Sequence, residues 1–292
     1  MIATVAVLSL LVLLAYLAVA GAMALMQRRL LYRPGTAAVP RETGVERPPL
    51  TPVAWKDRLL GWWLPPAAPD APVLVFFHGN RGTLRRIADK TATWPDRFGI
   101  GLFLATYRGY EGNPGKPTEQ GLYQDGRTIL DWLAASSGTG RDRILLYGES
   151  LGSGVATQMA AEGRGAALIL EAAFTSIVAI AQRRYPWAPV RWLLRDRFDN
   201  LSKIGAVAVP TLLLHGDADP TVPVDHARRM AAASPSAQLA VLAGATHLDI
   251  HQRGGTDILA GFLNGIILKE SKPDVRLPSP ASSQIMRDRS IP

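Results

Sequence analysis

The sequence predicts an α/β protein: a mostly parallel sheet with helices on both faces, preceded by one apolar helix. First, short apolar runs alternate with helical patterns from Val73 onward. Continuous apolar runs are typical of strands buried on both faces, and their alternation with helices favours a parallel sheet. Second, Ile2–Met26 contains no charged residue. Third, hydrophobic residues make up 48% of the chain and charged residues only 19%, which excludes a disordered protein.

The N-terminal apolar run is long enough to cross a membrane. Ile2–Met26 would form a helix of about 37 Å, against a hydrocarbon core of about 30 Å, and Arg28 and Arg29 follow it. We therefore predict an uncleaved transmembrane anchor over residues 1–27. Two alternatives stay open. A cleaved signal peptide has a basic start and a shorter core than this run, and a buried helix of a soluble domain is rarely apolar on every face.

The remaining residues of the 292-residue chain fit one large domain. Residues 28–50 lack periodicity and are predicted to be a tether, residues 51–269 the domain, and residues 270–292 a disordered tail. Antiparallel edge strands are expected around Trp55–Leu64. The predicted buried strands are Val73–Phe77, Ile100–Ala105, Ile144–Tyr147, Ala167–Leu170, Thr211–Leu214 and Leu239–Leu242. The predicted helices are Leu84–Phe98, Glu119–Ala135, Leu151–Glu162 and Thr256–Leu268.

The most informative motif is Gly148-Glu-Ser150-Leu-Gly152, at the junction of a predicted strand and a predicted helix. A strand that turns directly into a helix brings the two backbones close together, so side chains at positions 148 and 152 would clash. Ser150 is then held in a strained conformation with its hydroxyl projecting from the sheet. The N–H of Leu151 opens the helix and is free to stabilise an oxyanion. Alone, this short motif could also be a glycine-containing turn with a serine cap.

Other chemistry-bearing residues also follow predicted strands. Asp217 and Asp219 come after one strand and His247 after the last, so nucleophile, carboxylate and imidazole occur in the order Ser, Asp, His. The carboxyl ends of parallel strands share one edge of a sheet, where sites form. This arrangement over residues 50–268 resembles the α/β-hydrolase superfamily. It is most similar to membrane-anchored ABHD-type serine hydrolases of the serine aminopeptidase-like branch. The motifs that carry the resemblance are His78-Gly-Asn80, Tyr107-Arg-Gly-Tyr110, Gly148–Gly152, His215-Gly-Asp-Ala-Asp219 and Val222-Pro223.

The resemblance implies a role for each residue. Ser150 would be the nucleophile, His247 the base that takes its proton, and Asp219 the carboxylate that orients the imidazole. The backbone N–H groups of Asn80 and Leu151 would form the oxyanion hole. Asp217 is the alternative carboxylate, although a turn-capping role suits it better, and Asn80 could be a simple turn residue. The competing histidines have structural interpretations: two precede glycine at strand ends, one lies on a polar helix and one is expected to be exposed, namely His78, His215, His226 and His251.

Residues 175–209, here called the insertion segment, interrupt the alternation of strands and helices. The segment contains four large aromatic residues among several arginines. It is either a helical excursion that buries its tryptophans in the core or a cap that shapes an acyl pocket. The aromatic residues are Tyr185, Trp187, Trp192 and Phe198.

These observations predict a serine hydrolase that cleaves an ester, thioester or amide through an acyl-enzyme, with a carboxylic ester or lipid-like substrate favoured. A peptidase acting on short peptides and a non-catalytic membrane-anchored binding module are the alternatives. No cofactor and no metal are implied, because no metal-ligand spacing or phosphate loop is present. The net charge is +8, but no basic stripe interleaved with aromatic residues supports nucleic-acid binding. The absence of cysteine excludes disulfides and a cysteine nucleophile. The oligomeric state is left open.

Charge around the apolar run predicts its orientation. No Lys or Arg precedes the run, whereas Arg28, Arg29, Arg33 and Arg41 follow it against the single acid Glu42. Basic residues close to a membrane span tend to stay in the cytoplasm. We therefore expect a single-pass membrane protein with its catalytic domain on the cytoplasmic side.

Overall fold

The computed structural model describes residues 1–34 and 49–270. Residues 35–48 of the predicted tether and the predicted tail beyond residue 270 lie outside the described residues. Eight strands form one sheet in the order β1-β2-β4-β3-β5-β6-β7-β8. They are β1 Thr51–Trp55, β2 Arg58–Leu64, β3 Val73–Phe77, β4 Gly101–Ala105, β5 Ile144–Glu149, β6 Ala167–Glu171, β7 Thr211–Gly216 and β8 Ala237–Leu242.

Ten α-helices are present in the described residues. The predicted helix over Leu84–Phe98 is two helices in the structure, α2 and α3, and the helix predicted from Glu119 ends in a π-helical turn over Leu133–Ser137. The α-helices are α1 Ile2–Leu31, α2 Leu84–Thr91, α3 Trp94–Phe98, α4 Glu119–Trp132, α5 Gly152–Ala161, α6 Ile177–Arg184, α7 Val190–Leu193, α8 Leu201–Ile204, α9 Asp225–Ala233 and α10 Thr256–Glu270.

The predicted, mostly parallel sheet is confirmed. β1 pairs antiparallel with β2 and β2 with β4, whereas every later pair is parallel. Every residue of β3 is buried, as expected for a strand covered on both faces. Val73, Val75 and Phe77 point into one core cluster, which α4, α5 and α9 cover. Leu74 and Phe76 point into a second cluster, which α2, α3 and α10 cover. The helices therefore cover both faces, as predicted.

The helix α1 is mostly exposed, and its apolar side chains from Ile2 to Val19 pack against no core. It is long and apolar enough to cross a membrane by length and composition. The core-helix alternative is thus wrong. The helix continues beyond the predicted anchor boundary at residue 27, to Leu31. Arg28 does not end the helix. Its guanidinium forms an ion pair with the carboxylate of buried Asp196 at 2.8 Å. Tyr32 is buried in the core against Phe198, with ring centroids 6.4 Å apart.

The insertion segment contains α6, α7 and α8, which follow one another between β6 and β7. Its aromatic residues do not share one environment. Phe198 is fully buried, whereas Trp187 is 50% and Trp192 80% exposed. The interpretation that the segment buries its tryptophans in the core is therefore wrong. Tyr16 of α1 donates a hydrogen bond to the carbonyl of Trp187 at 3.2 Å, so the segment extends alongside the apolar helix.

Candidate active site

The turn between β5 and α5 holds Ser150 in a left-handed conformation with φ of 51°. Two close backbone contacts explain the flanking glycines. A Cβ at Gly148 would lie 2.6 Å from the Cα of Ser153, and one at Gly152 only 1.9 Å from the carbonyl oxygen of Phe77. Neither position can hold a side chain without moving the backbone. The local geometry is the strained strand–turn–helix corner that the motif predicts.

Three side chains from three strand ends meet at this corner. Ser150 follows β5, Asp219 lies beyond β7 and His247 lies beyond β8. Nε2 of His247 is 3.1 Å from Oγ of Ser150, and Nδ1 of His247 is 2.6 Å from Oδ2 of Asp219. The structure therefore brings the three predicted residues together in one hydrogen-bonded chain.

Asp219 is buried and well supported, in contrast to Asp217. Its second oxygen, Oδ1, accepts the backbone N–H groups of Thr221 at 2.8 Å and Val222 at 2.9 Å. Burial alone would raise the pKa of Asp219, but the His247 hydrogen bond and charge, with these two N–H groups, lower it below its usual value. Asp217 is exposed and accepts the N–H of Gly244 at 2.7 Å, which is the contact of a turn-capping residue.

The other histidines are engaged elsewhere. The Nδ1–H of His78 donates to the carbonyl of Gly79 at 2.7 Å, and burial lowers the pKa of His78 to about 4. His215 contacts the carbonyl of Val222 at 2.8 Å, and burial lowers its pKa as well. His226 is bonded to Thr175 at 2.9 Å.

The expectation that His251 is exposed is wrong. Only 11% of its side chain is accessible, and its Nε2 lies 2.8 Å from the hydroxyl of Tyr147 and 3.3 Å from Glu171. The position one turn beyond His247 suggested exposure, but a π-helical turn over His251–Gly255 points the ring inward.

Two backbone N–H groups beside Ser150 are free to bind an oxyanion. Within the part of the chain that the structure describes, neither Asn80 nor Leu151 donates its backbone N–H to a protein acceptor. Leu151 precedes α5, and Asn80 lies three residues after β3. The loop before Asn80 is close to the nucleophile, since a Cβ at Gly79 would lie 3.3 Å from the Cβ of Ser150.

The end of α1 contacts this loop, which the sequence did not predict. The side-chain amide of Asn80 donates to the carbonyl of Leu31 at 3.2 Å, and the N–H of Arg33 donates to the carbonyl of Asn80 at 3.3 Å. Tyr110 donates its hydroxyl to the same carbonyl at 3.1 Å. The apolar helix is thus joined to the predicted oxyanion loop rather than separated from the domain by the predicted tether.

A buried charge cluster lies behind the nucleophile. Glu149 ends β5 and Glu171 ends β6, and the ammonium of Lys90 lies 2.7 Å from the first carboxylate and 2.5 Å from the second. Arg86 also pairs with Glu149, and Tyr147 donates to Glu171 at 2.5 Å. The backbone N–H of Ser150 itself donates to the carbonyl of Glu171 at 2.9 Å. The cluster therefore supports the turn that carries Ser150. No group of three or more His, Asp or Glu side chains in residues 1–34 and 49–270 could hold a metal ion.

The comparisons with known proteins agree with this fold. The prolyl oligopeptidase family model matches residues 115–248. The protein Rv2307c of Mycobacterium tuberculosis is 36% identical over 228 residues, which cover 76% of this chain and 81% of that protein. The lysophosphatidylserine lipase ABHD12 of Rattus norvegicus is 30% identical over 60% of this chain and 48% of that protein. The chain belongs to the ABHD-type α/β-hydrolases.

Solved structures show the same α/β-hydrolase fold. The esterase PF2001 of Pyrococcus furiosus aligns with a TM-score of 0.58 and 16% identity, over 80% of this chain and 97% of that one. The matched peptidase family and the lipase ABHD12 support a hydrolase of the esterase, lipase and peptidase type. The predicted family and fold are thereby confirmed. The roles of Ser150, Asp219, His247, Asn80 and Leu151 stay predictions.

Proposed function

We propose that this hydrolase cleaves carboxylic esters through an acyl-enzyme formed on Ser150. The observation that carries the proposal is the continuous hydrogen-bonded chain from Asp219 through His247 to the hydroxyl of Ser150. With Nδ1–H donated to Asp219, Nε2 of His247 accepts the serine proton. A serine hydroxyl becomes an effective nucleophile only when a positioned base takes that proton.

The residues would act in two half-reactions. Ser150 Oγ attacks the ester carbonyl while His247 takes its proton, and the N–H groups of Asn80 and Leu151 bind the oxyanion that forms. His247 then donates the proton to the leaving alcohol as the C–O bond breaks. In the second half, His247 removes a proton from water, which attacks the acyl-enzyme and releases the acid and free Ser150. Asp219 stays ionised throughout and stabilises the imidazolium.

A lipid-like ester fits best because the site is joined to an apolar helix. The carbonyl of Leu31 and the N–H of Arg33, at the end of α1, bond to Asn80. Any membrane that holds α1 therefore also holds the predicted oxyanion loop near its surface. The relative ABHD12 is a lysophosphatidylserine lipase, which supports the same substrate class for this chain.

Peptidase activity on short peptides is the second candidate. The match of residues 115–248 to the prolyl oligopeptidase family favours it, since the same acyl-enzyme chemistry cleaves amides. The two candidates differ in the leaving group that His247 must protonate.

Ester and amide substrates should separate these candidates. The full-length protein should hydrolyse p-nitrophenyl acetate, octanoate and palmitate, with kcat/KM rising with chain length because each methylene buried in an apolar pocket contributes about 0.8 kcal/mol. Aminoacyl p-nitroanilides should be poor substrates. Higher kcat/KM on the anilides than on every ester would favour the peptidase instead.

We further propose that α1 is a single-pass anchor with the catalytic domain, residues 51–269, on the cytoplasmic side, and that the insertion segment is its cap. Arg28 and Arg29 occupy the last turn of α1, and basic residues next to a span stay in the cytoplasm. The exposed Trp187 and Trp192 suit the membrane–water interface, where tryptophan is enriched.

Fusion of alkaline phosphatase to the C-terminus tests this topology, because that reporter is active only after export. Cells should show little phosphatase activity, and the same fusion point with green fluorescent protein should be fluorescent. Strong phosphatase activity, or a purified protein that lacks residues 1–24, would contradict the cytoplasmic orientation.

A further inference from the structure

A cavity of about 190 Å³ lies between the second half of α1 and the insertion segment. One wall is formed by α1 and the residues that follow it, from Ala20 to Arg33, and the other by residues between Ile177 and Leu194. Along α1 this range corresponds to about 20 Å of helix. The cavity is here called the slot, because its walls run along this length of helix.

The lining is mostly apolar, and its polar members besides Gln27 and Arg33 are the exposed Arg184 and the half-buried Tyr185. Ala24 and Leu31 face Ile180, Ala181 and other alkyl side chains across the slot. Dry apolar cavities of about 150 Å³ already bind small hydrocarbon molecules. This slot is therefore large enough to bind a hydrocarbon chain.

The amide of Gln27 is already satisfied inside this lining. Its Nε2 donates to the carbonyls of Ala24 at 2.6 Å and Leu193 at 3.1 Å, and its Oε1 accepts the N–H of Arg195 at 2.7 Å. The amide thus joins the two walls, and its Nε2 already makes two hydrogen bonds and has no donor left for a polar ligand. Arg33, which also lines the slot, is exposed and can keep its charge in water while its stem covers apolar surface.

One wall of the slot contacts the loop beside Ser150, and the other follows in the chain from a residue that bonds to Ser150. At the end of α1, Leu31 and Arg33 bond to Asn80, whose N–H is free. On the other wall, α6 begins six positions after Glu171, whose carbonyl accepts the N–H of Ser150. The opposite end of the slot lies at Ala20, on the part of α1 that would cross the membrane.

We infer that the slot between α1 and the insertion segment binds the fatty-acyl chain of a bilayer lipid, which enters sideways from the membrane. This inference rests on the proposed function, because the slot directs the chain toward Ser150. The anchor helix would then be one wall of the substrate site and not only a tether. Trp187 and Trp192 do not line the slot, so chain-length preference should not depend on them.

Filling the slot tests the inference in the full-length protein. Ala24→Phe on α1 and Ala181→Phe on α6 each place a ring in the slot. Ala22→Phe is the matched control, because Ala22 is exposed on the same helix and is not a lining residue. Both slot variants should lower kcat/KM on p-nitrophenyl palmitate at least about tenfold, since each methylene that loses its site costs about fourfold. Turnover of p-nitrophenyl acetate should stay within about twofold, which also shows that the variants fold.

A second readout does not depend on catalysis. A long-chain fatty acid that carries a diazirine should crosslink Ser150→Ala protein in phosphatidylcholine vesicles at residues 20–33 and 177–194. An excess of oleic acid should compete, and adding Ala24→Phe should abolish the labelling while adding Ala22→Phe leaves it. Such labelling without any ester hydrolysis by the wild type would refute the proposed function and retain the acyl site. Labelling that oleic acid does not reduce, or equal labelling of both variants, would overturn the inference.

Discussion

Ser150→Ala, His247→Ala and Asp219→Asn should each lower kcat by about 10⁴-fold or more. The first removes the nucleophile and the second its base. The third removes the charge that holds Nδ1–H of His247 at 2.6 Å and stabilises the imidazolium. Steady-state kinetics on p-nitrophenyl octanoate would measure the losses. KM should change little, because the proposed roles of these side chains are in the bond-making and bond-breaking steps and not in holding the acyl chain.

The matched control is Asp217→Asn. Asp217 lies two positions from Asp219. Among the described contacts, its side chain bonds only to the backbone N–H of Gly244, at 2.7 Å, so its loss should lower kcat by less than about tenfold. The double variant Ser150→Ala with His247→Ala should be no slower than either single variant, because the residues act as a unit. A larger loss with Asp217→Asn than with Asp219→Asn would contradict the proposed carboxylate.

Lys90→Met should destabilise the folded protein by about 3 to 5 kcal/mol, the cost of breaking a buried ion pair from one side. The ammonium lies within 2.7 Å of Glu149 and 2.5 Å of Glu171, and both carboxylates are buried. Without Lys90 the two negative charges repel each other in a poorly solvated site. Urea denaturation followed by tryptophan fluorescence would measure the free energy of unfolding.

Arg164→Met is the control for an exposed ion pair. Arg164 pairs with Asp131, whose side chain is 67% accessible, and with Glu162, whose side chain is 24% accessible, so the loss should be below about 1 kcal/mol. Adding Glu149→Gln and Glu171→Gln to Lys90→Met should restore part of the stability, because the repulsion is then gone. An effect of Lys90→Met no larger than that of Arg164→Met would show that the cluster does not stabilise the fold.

The effect of Lys90→Met should also depend on pH. Burial alone would raise the pKa values of Glu149 and Glu171, but the charge of Lys90 overrides it and lowers both. Carboxylates whose pKa is lowered in the folded protein stabilise the fold at pH values above their ordinary pKa of 4.5. This stabilisation is lost as the pH falls below that value. Burial alone would lower the pKa of Lys90, but the same two ion pairs raise it. The stabilisation that Lys90 gives the fold is therefore complete at pH values below its ordinary pKa of 10.5.

The difference in stability between wild type and Lys90→Met should therefore be largest near neutral pH and shrink on acidification toward pH 4. In the variant, the buried carboxylates gain protons on folding, so its stability should rise as the pH falls from 7 to 5. A difference that stays constant over this range would contradict the uptake of protons by Glu149 and Glu171 when the variant folds.

Much of the sheet could be predicted because parallel strands buried on both faces have a simple pattern. The strand Val73–Phe77 was predicted with its observed bounds. The prediction that side chains at positions 148 and 152 would clash agrees with the close backbone contacts of Gly148 and Gly152. The meeting of Ser150, Asp219 and His247 was predictable for a related reason. Each follows a strand of one parallel sheet, so the topology brings them to the same edge.

The tertiary contacts of α1 and the insertion segment were not predictable in the same way. Arg28 was interpreted as the end of the anchor. Its ion pair with Asp196 could not be predicted, because the two residues are distant in sequence. The exposure of Trp192 likewise depends on what the insertion segment packs against. Tyr32, three positions after Arg29, was a local signal that the chain returns to the core there.

Covalent labelling of Ser150 tests the central claim most directly. The oxygen of an activated serine attacks the phosphorus of a fluorophosphonate, fluoride leaves, and a stable phosphonate ester remains on the serine oxygen. Mass spectrometry of the labelled full-length protein should locate this adduct on Ser150. The label should vanish in Ser150→Ala, be greatly slowed in His247→Ala, and persist in Ser153→Ala, since Ser153 is fully buried three positions away. Absence of labelling in the wild type, or labelling that persists in Ser150→Ala, would contradict the proposal that Ser150 is the nucleophile.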